Sequence, residues 1–123
     1  METSLGDLSV CTFVERIGSD HISPGSGAAG AVTLAFGAAC GTQAVSVTFK
    51  HAHDNRELKA ALKRLKKLGR LALQGADADA GGFAEFIQHK TADTAAELIG
   101  TGDRMTHLIE ALFTIVHKVD SLI

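Results

Sequence analysis

Between Gly27 and Val47 the chain is small and apolar almost without interruption. Side chains this short cannot fill the space around a helix by themselves, so whatever packs there must bring its own backbone close. Ala28, Ala31, Ala35, Ala38 or Ala39, and Thr42 recur at three- and four-residue spacing, and Gly37 and Gly41 stand four apart. That spacing predicts a helix over residues 27–49. Each glycine inside a helix costs about 1 kcal/mol against alanine, and close packing is what offsets it. We therefore expect a central small-residue helix, buried on most sides. The fold class it implies is all-α, a bundle of about five helices in a single domain over residues 1–123.

The other segments supply the remaining helices. Leu5, Leu8, Phe13, Val14 and Ile17 fit one broad apolar face, with Thr3 or Ser4 as cap and Gly18-Ser19 as the stop. Residues 55–89 form one long pattern with Leu58, Leu62, Leu65, Leu68 or Gly69, Ala72 and Leu73 on its stripe. Asp54 or Asn55 caps it, and Gly81-Gly82 is where it kinks or breaks. Thr91 or Asp93 caps a short helix holding Ala95, Ala96, Leu98 and Ile99, which stops at Gly100 or Gly102. Thr101 or Asp103 opens the last helix, apolar at helical spacing from Met105 to Val119. Val45–Phe49 is the one β-rich patch, and no strand is expected.

Composition narrows the function classes. The 46% hydrophobic and 21% charged residues are ordinary for a soluble globular protein. Seven of the twelve Lys and Arg fall between Arg56 and Arg70. With a net charge of −2 and no aromatic residue among them, they read as a solvated face rather than a nucleic-acid track. The start, Met1 to Leu8, has neither the basic residues nor the apolar run of a signal peptide. Residues 27–49 hold too much Gly, Thr, Gln and Ser for a membrane span. The expectation is a cytoplasmic chain with no membrane or nucleic-acid partner. Cys11 and Cys40 match no zinc or CxxC spacing and read as buried free thiols. His51 and His53 read as exposed loop histidines, so no metal is expected.

Two features carry chemistry. Ser23-Pro24-Gly25-Ser26-Gly27 opens the small-residue helix and contains the only proline. Pro24 pre-sets a turn, Ser26 or Ser23 is the expected N-cap, and free N–H groups at the helix start make a generic anion site. Asp79 stands between alanines, with Phe83 one turn later. A carboxylate in an apolar site tends to a raised pKa and can move protons near neutral pH. Asp77, two positions away, faces elsewhere on a helix. No nucleophilic triad, P-loop lysine or dinucleotide fingerprint is present.

The run from Ser19 to Cys40, "SDHISPGSGAAGAVTLAFGAAC", resembles a segment of the formiminotransferase-cyclodeaminase and methenyltetrahydrofolate cyclohydrolase family. There Pro-Gly-Gly-Gly-Ser precedes an alanine- and glycine-rich helix; Ser26 stands at the middle glycine. Ala78-Asp79-Ala80-Gly81-Gly82-Phe83 resembles the family's Asp-x-x-x-Phe element, and Phe13 sits where the family carries "F…LAS". The resemblance implies a one-carbon reaction on a tetrahydrofolate derivative as substrate, either cyclodeaminase or cyclohydrolase, with no cofactor and no metal. It makes Asp79 the catalytic acid or base. Ser23, Pro24, Gly25, Ser26 and Gly27 would lie against the folate, Phe83 would form an apolar wall, and Lys50 would meet the carboxylates of the glutamate tail. It also implies association through helices, so a homo-oligomer, most simply a dimer, is expected. The alternative is a non-catalytic helical oligomeric binding or assembly protein of the same fold.

Overall fold

The computed structural model describes residues 3–21, 23–51 and 55–122. His53 and Asp54, expected to be a loop histidine and a cap, lie outside them. A 3-10 turn at Leu5–Asp7 leads into α1 (Val10–Ile17), α2 (Ser26–Phe49), α3 (Arg56–His89) and α4 (Ala92–Leu122). The described residues contain no strand, and the chain is all-α.

The helix boundaries follow from caps and glycine contacts. Ser4 accepts from the Gly6 N–H and opens the 3-10 turn, and Ser9 accepts from the Thr12 N–H and opens α1. The expected first helix is thus two short pieces, because a second local cap lies inside it. Asn55 caps α3 through the N–H groups of Glu57 and Leu58. α3 runs unbroken through Gly81-Gly82, where the Leu98 side chain lies 3.7 Å from the position of a Gly82 Cβ. The two short C-terminal helices expected from the sequence are one helix. Thr101 does not restart it; Thr101 is buried within α4, its hydroxyl donating to Glu97 O and accepting from Arg104 Nη2.

α3 packs along α2 on one side and α4 on the other, while α2 and α4 touch more briefly. Leu58, Leu65 and Leu68 of α3 are the anchors of the main core, with Leu34, Ala38 and Val45 from α2 and Ile115 and Val119 from α4. A second, smaller cluster joins Leu5, Ala28, Ala31 and Ala76. The small residues of α2 act as expected where helices meet. A Cβ on Gly41 would stand 3.3 Å from Leu65 Cδ2, and one on Gly37 would stand 3.5 Å from Leu112. On α3, Gly75 leaves room for the Met105 sulfur, which an added Cβ would overlap.

The burial of α2 is narrower than its composition suggests. One stripe, Ala28, Ala31, Leu34, Ala38 and Val45, is buried, whereas Phe36 and Val47 are 58% and 53% exposed. The physical reason is the width of the bundle: with one long neighbour and a partial second, only a stripe of α2 can be covered. Cys11 and Cys40 are free but exposed, not buried, for they lie on the uncovered sides of α1 and α2. By length and composition α2 could cross a membrane, with a mean hydropathy of 1.4 in its best window.

These contacts separate the glycines into two kinds. Gly81 has no neighbour within 4 Å of an added Cβ, so Gly81→Ala should raise stability by about 0.5–1 kcal/mol through helix propensity. Gly41→Leu drives a side chain into Leu65 and should lower it by about 1–3 kcal/mol. Urea unfolding of both variants beside the wild type measures the two opposite signs.

Candidate functional site

The site forms where residues 77–80 of α3 meet the N-terminal segments. Gly25 is the N-cap residue of α2 and makes no side-chain cap bond. Ser23 is not the cap expected of it, because its hydroxyl donates to the Ala80 carbonyl at 2.9 Å. Ser26 is already the first helical residue and is exposed. The group that meets the helix start is instead Asp79, far along the chain, whose carboxylate faces the Ala28 N–H. That carboxylate lies directly against the Gly27 backbone, and an added Cβ on Gly27 would overlap both its oxygens. Glycine is required at that position by this approach alone.

Asp79 therefore experiences two opposed effects. Burial among apolar neighbours disfavours the charged form and raises its pKa above the ordinary 3.8. The Ala28 N–H at the positive end of the α2 dipole favours the charged form and opposes that rise. Burial is the larger effect, so the carboxyl holds its proton to higher pH than a solvated aspartate.

The neighbours of Asp79 are arranged unevenly. Pro24, within the loop, is buried and joined to Ser23 by a cis peptide bond. Phe83 is half-buried one turn after Asp79. One turn after Gly27, Gly30 faces open space, with nothing within 4 Å of an added Cβ. Lys50 is not brought to this cluster. It is the C-cap of α2, at the far end of a 24-residue helix, about 35 Å from Gly27 at the α-helical rise.

From sequence, Asp77 is expected only to face away from Asp79. In the structure it accepts from the Ser4 hydroxyl at 2.7 Å and the Leu5 N–H at 2.8 Å, anchoring the 3-10 turn. Nothing in the local sequence around Asp77 signals this, because its partners lie more than seventy positions away. The described residues contain no cluster of three or more metal-ligating side chains. The largest apolar cavity described, about 550 Å³, lies between the 3-10 turn, α1 and α2, lined by Leu8, Phe13, Val14, Ile17, Val32 and Phe36 among others. Asp79 is not part of its lining.

A helical domain with a glycine-opened helix pinned to a half-buried aspartate is the class these features define. The family described as formiminotransferase-cyclodeaminase matches residues 9–114, which takes in all of α1, α2 and α3 and most of α4. The chain belongs to that family, and so to the proteins of folate one-carbon metabolism in general. No curated protein and no solved structure matches it significantly.

The Asp79 environment sets the sign of a pH effect. With its folded pKa raised, the native state keeps a proton that the unfolded chain releases near pH 4, so this group's contribution to stability declines as pH rises through the folded value. Asp79→Asn cannot titrate. The stability of the wild type relative to Asp79→Asn should thus fall from acid toward neutral pH, as read by urea unfolding across pH 3.5 to 7.5 (about the span in which a raised carboxyl titrates). A wild-type advantage that grows with pH would contradict the raised pKa.

Proposed function

We propose that the chain carries out a one-carbon reaction on a reduced folate, as a formiminotetrahydrofolate cyclodeaminase or a methenyltetrahydrofolate cyclohydrolase. The observation that carries this reading is the half-buried Asp79 carboxyl, its pKa raised by burial, held against the Ser23–Gly27 loop of a chain in this family.

The chemistry asks for one group that moves a proton. In the cyclohydrolase direction, water adds to the cationic methenyl carbon and a base accepts the proton that water loses. In the cyclodeaminase direction, a folate nitrogen attacks the formimino carbon and ammonia departs with a proton supplied by an acid. A carboxyl with a raised pKa serves either role near neutral pH better than an ordinary aspartate. The loop contributes backbone without bulk, and Phe83 offers an apolar wall one turn from the carboxyl. The ligand would enter beside Gly30, where the backbone faces open space. Lys50 is too far along α2 to meet the same folate within one chain; its role in this reading falls to a ligand extended across a partner copy.

A second reading is a non-catalytic helical protein that assembles with itself. The exposed stripe of α2 favours it, since Ser26–Phe49 holds no Asp, Glu, Lys or Arg on any face. A helix without charges on its solvent side is ordinarily covered. A homodimer is compatible with both readings.

Turnover of formimino- and methenyltetrahydrofolate by wild type and Asp79→Asn separates them. Asp79→Asn keeps the shape and removes the titrating group, so activity should fall by about a hundredfold or more while folate affinity changes little. Gly25→Val fills the loop and should weaken binding itself. Equal turnover in wild type and Asp79→Asn removes Asp79 from the chemistry. No turnover and no folate binding in either leaves the assembly reading.

A further inference from the structure

α3 and α4 form a second groove, on a different face of α3 from the α2 contact. The contacts Gly75–Met105 and Gly82–Leu98 show that the two helices run antiparallel. One part of the groove, about 440 Å³, is lined by Gln74, Thr101, Arg104, Met105 and His107, among others. The other part, about 380 Å³, is lined by Arg64, Lys67, Thr114 and Ile115, among others. The two parts share Leu71 and Leu108, so they are continuous.

The chemistry of the lining is one-sided. It includes Arg64, Lys67, Arg104 and His107 and not one carboxylate. Among the described residues the one close acid–base side-chain contact is between Glu85 and His89, one turn apart near the C-terminal end of α3, so it neutralises none of Arg64, Lys67 and Arg104. Thr101, 2% exposed, holds the Arg104 guanidinium at 3.0 Å through its hydroxyl, which fixes the cation at one end of the groove. Arg64 and Lys67 stand at the other end, about ten residues of α3 or 15 Å away at the helical rise. Between the two ends the floor is Leu68, Leu71, Met105 and Leu108.

We propose that this groove binds an elongated small organic anion that carries a negative group at each end of an apolar body. The charge pattern selects this occupant. A cation at each end pairs with a terminal carboxylate or phosphate, and the leucine floor covers the apolar middle. A nucleic acid fits poorly, since its charge is continuous where the floor is uncharged and no Phe, Tyr or Trp lines the groove as a stacking platform. The groove is separate from the Asp79 cluster, and the proposal stands whether or not the chain turns over a folate.

The chain has two methionines, Met1 and Met105, so a methyl-labelled methionine NMR spectrum holds one signal from the groove floor. The probes are dodecanedioate, which when extended places its carboxylates at about the separation of the two cationic ends, dodecanoate and succinate. Dodecanedioate should shift the Met105 methyl saturably, dodecanoate should bind about tenfold more weakly, and succinate should not shift it at the same concentrations. Arg64→Gln and Arg104→Gln should each bring dodecanedioate down to the affinity of dodecanoate, with unchanged circular dichroism showing that the variants fold. Equal binding of dodecanedioate to wild type and both variants, equal shifts from succinate, or no shift at all would overturn the proposal.

Discussion

The structure depends on one short stretch of α3. Within Asp77–Ala80, one carboxylate anchors the 3-10 turn, a second lies against the start of α2 at Gly27, and a backbone carbonyl receives the Ser23 hydroxyl. The 3-10 turn, the loop and the start of α2 are thereby all referred to one helix. These bonds are polar and partly withdrawn from water, so losing one partner leaves another unsatisfied. The small cluster of Leu5, Ala28, Ala31 and Ala76 packs immediately beside them. Apolar contact alone would leave the N-terminal segments free to slide on so small a core; the hydrogen bonds fix their register.

That arrangement also makes the site. An aspartate meets the start of the helix that lies against it, and the same contact withdraws the carboxyl from water. One side chain therefore carries both the contact with the start of α2 and the raised pKa. Gly27 is what allows both, because any side chain there would displace the carboxylate from the Ala28 N–H. The uncovered face of α2 has a related origin. A slim bundle built around α3 covers one stripe of its apolar neighbour and leaves the other exposed.

Much of the fold was legible from periodicity. The long stripe of α3 and the small-residue spacing of α2 identified two of the helices, and glycines at Gly37 and Gly41 marked real close approaches. Gly100, Gly102 and Gly81-Gly82 misled in the opposite direction. A glycine weakens a helix by an amount that a single interhelical contact offsets, and Leu98 against Gly82 is such a contact. The two thiols are exposed against expectation because an apolar local sequence says that a residue prefers burial, not that a neighbour exists to bury it. The pairing of the loop with Asp79 was reached through a family resemblance; no feature of either segment read alone predicts it.

By itself the sequence determined the helical class, the positions of α2 and α3 and the family, since periodicity and motif residues are properties of adjacent or nearby positions. Tertiary structure decided what meets the start of α2, which face of α2 was covered, that Lys50 stands far from Gly27, and that Asp77 and Asp79 hold separate segments. The reason is that each of these depends on partners remote in sequence or on the geometry of packed helices. Burial and hydrogen bonding between such partners are fixed only when the whole chain has folded.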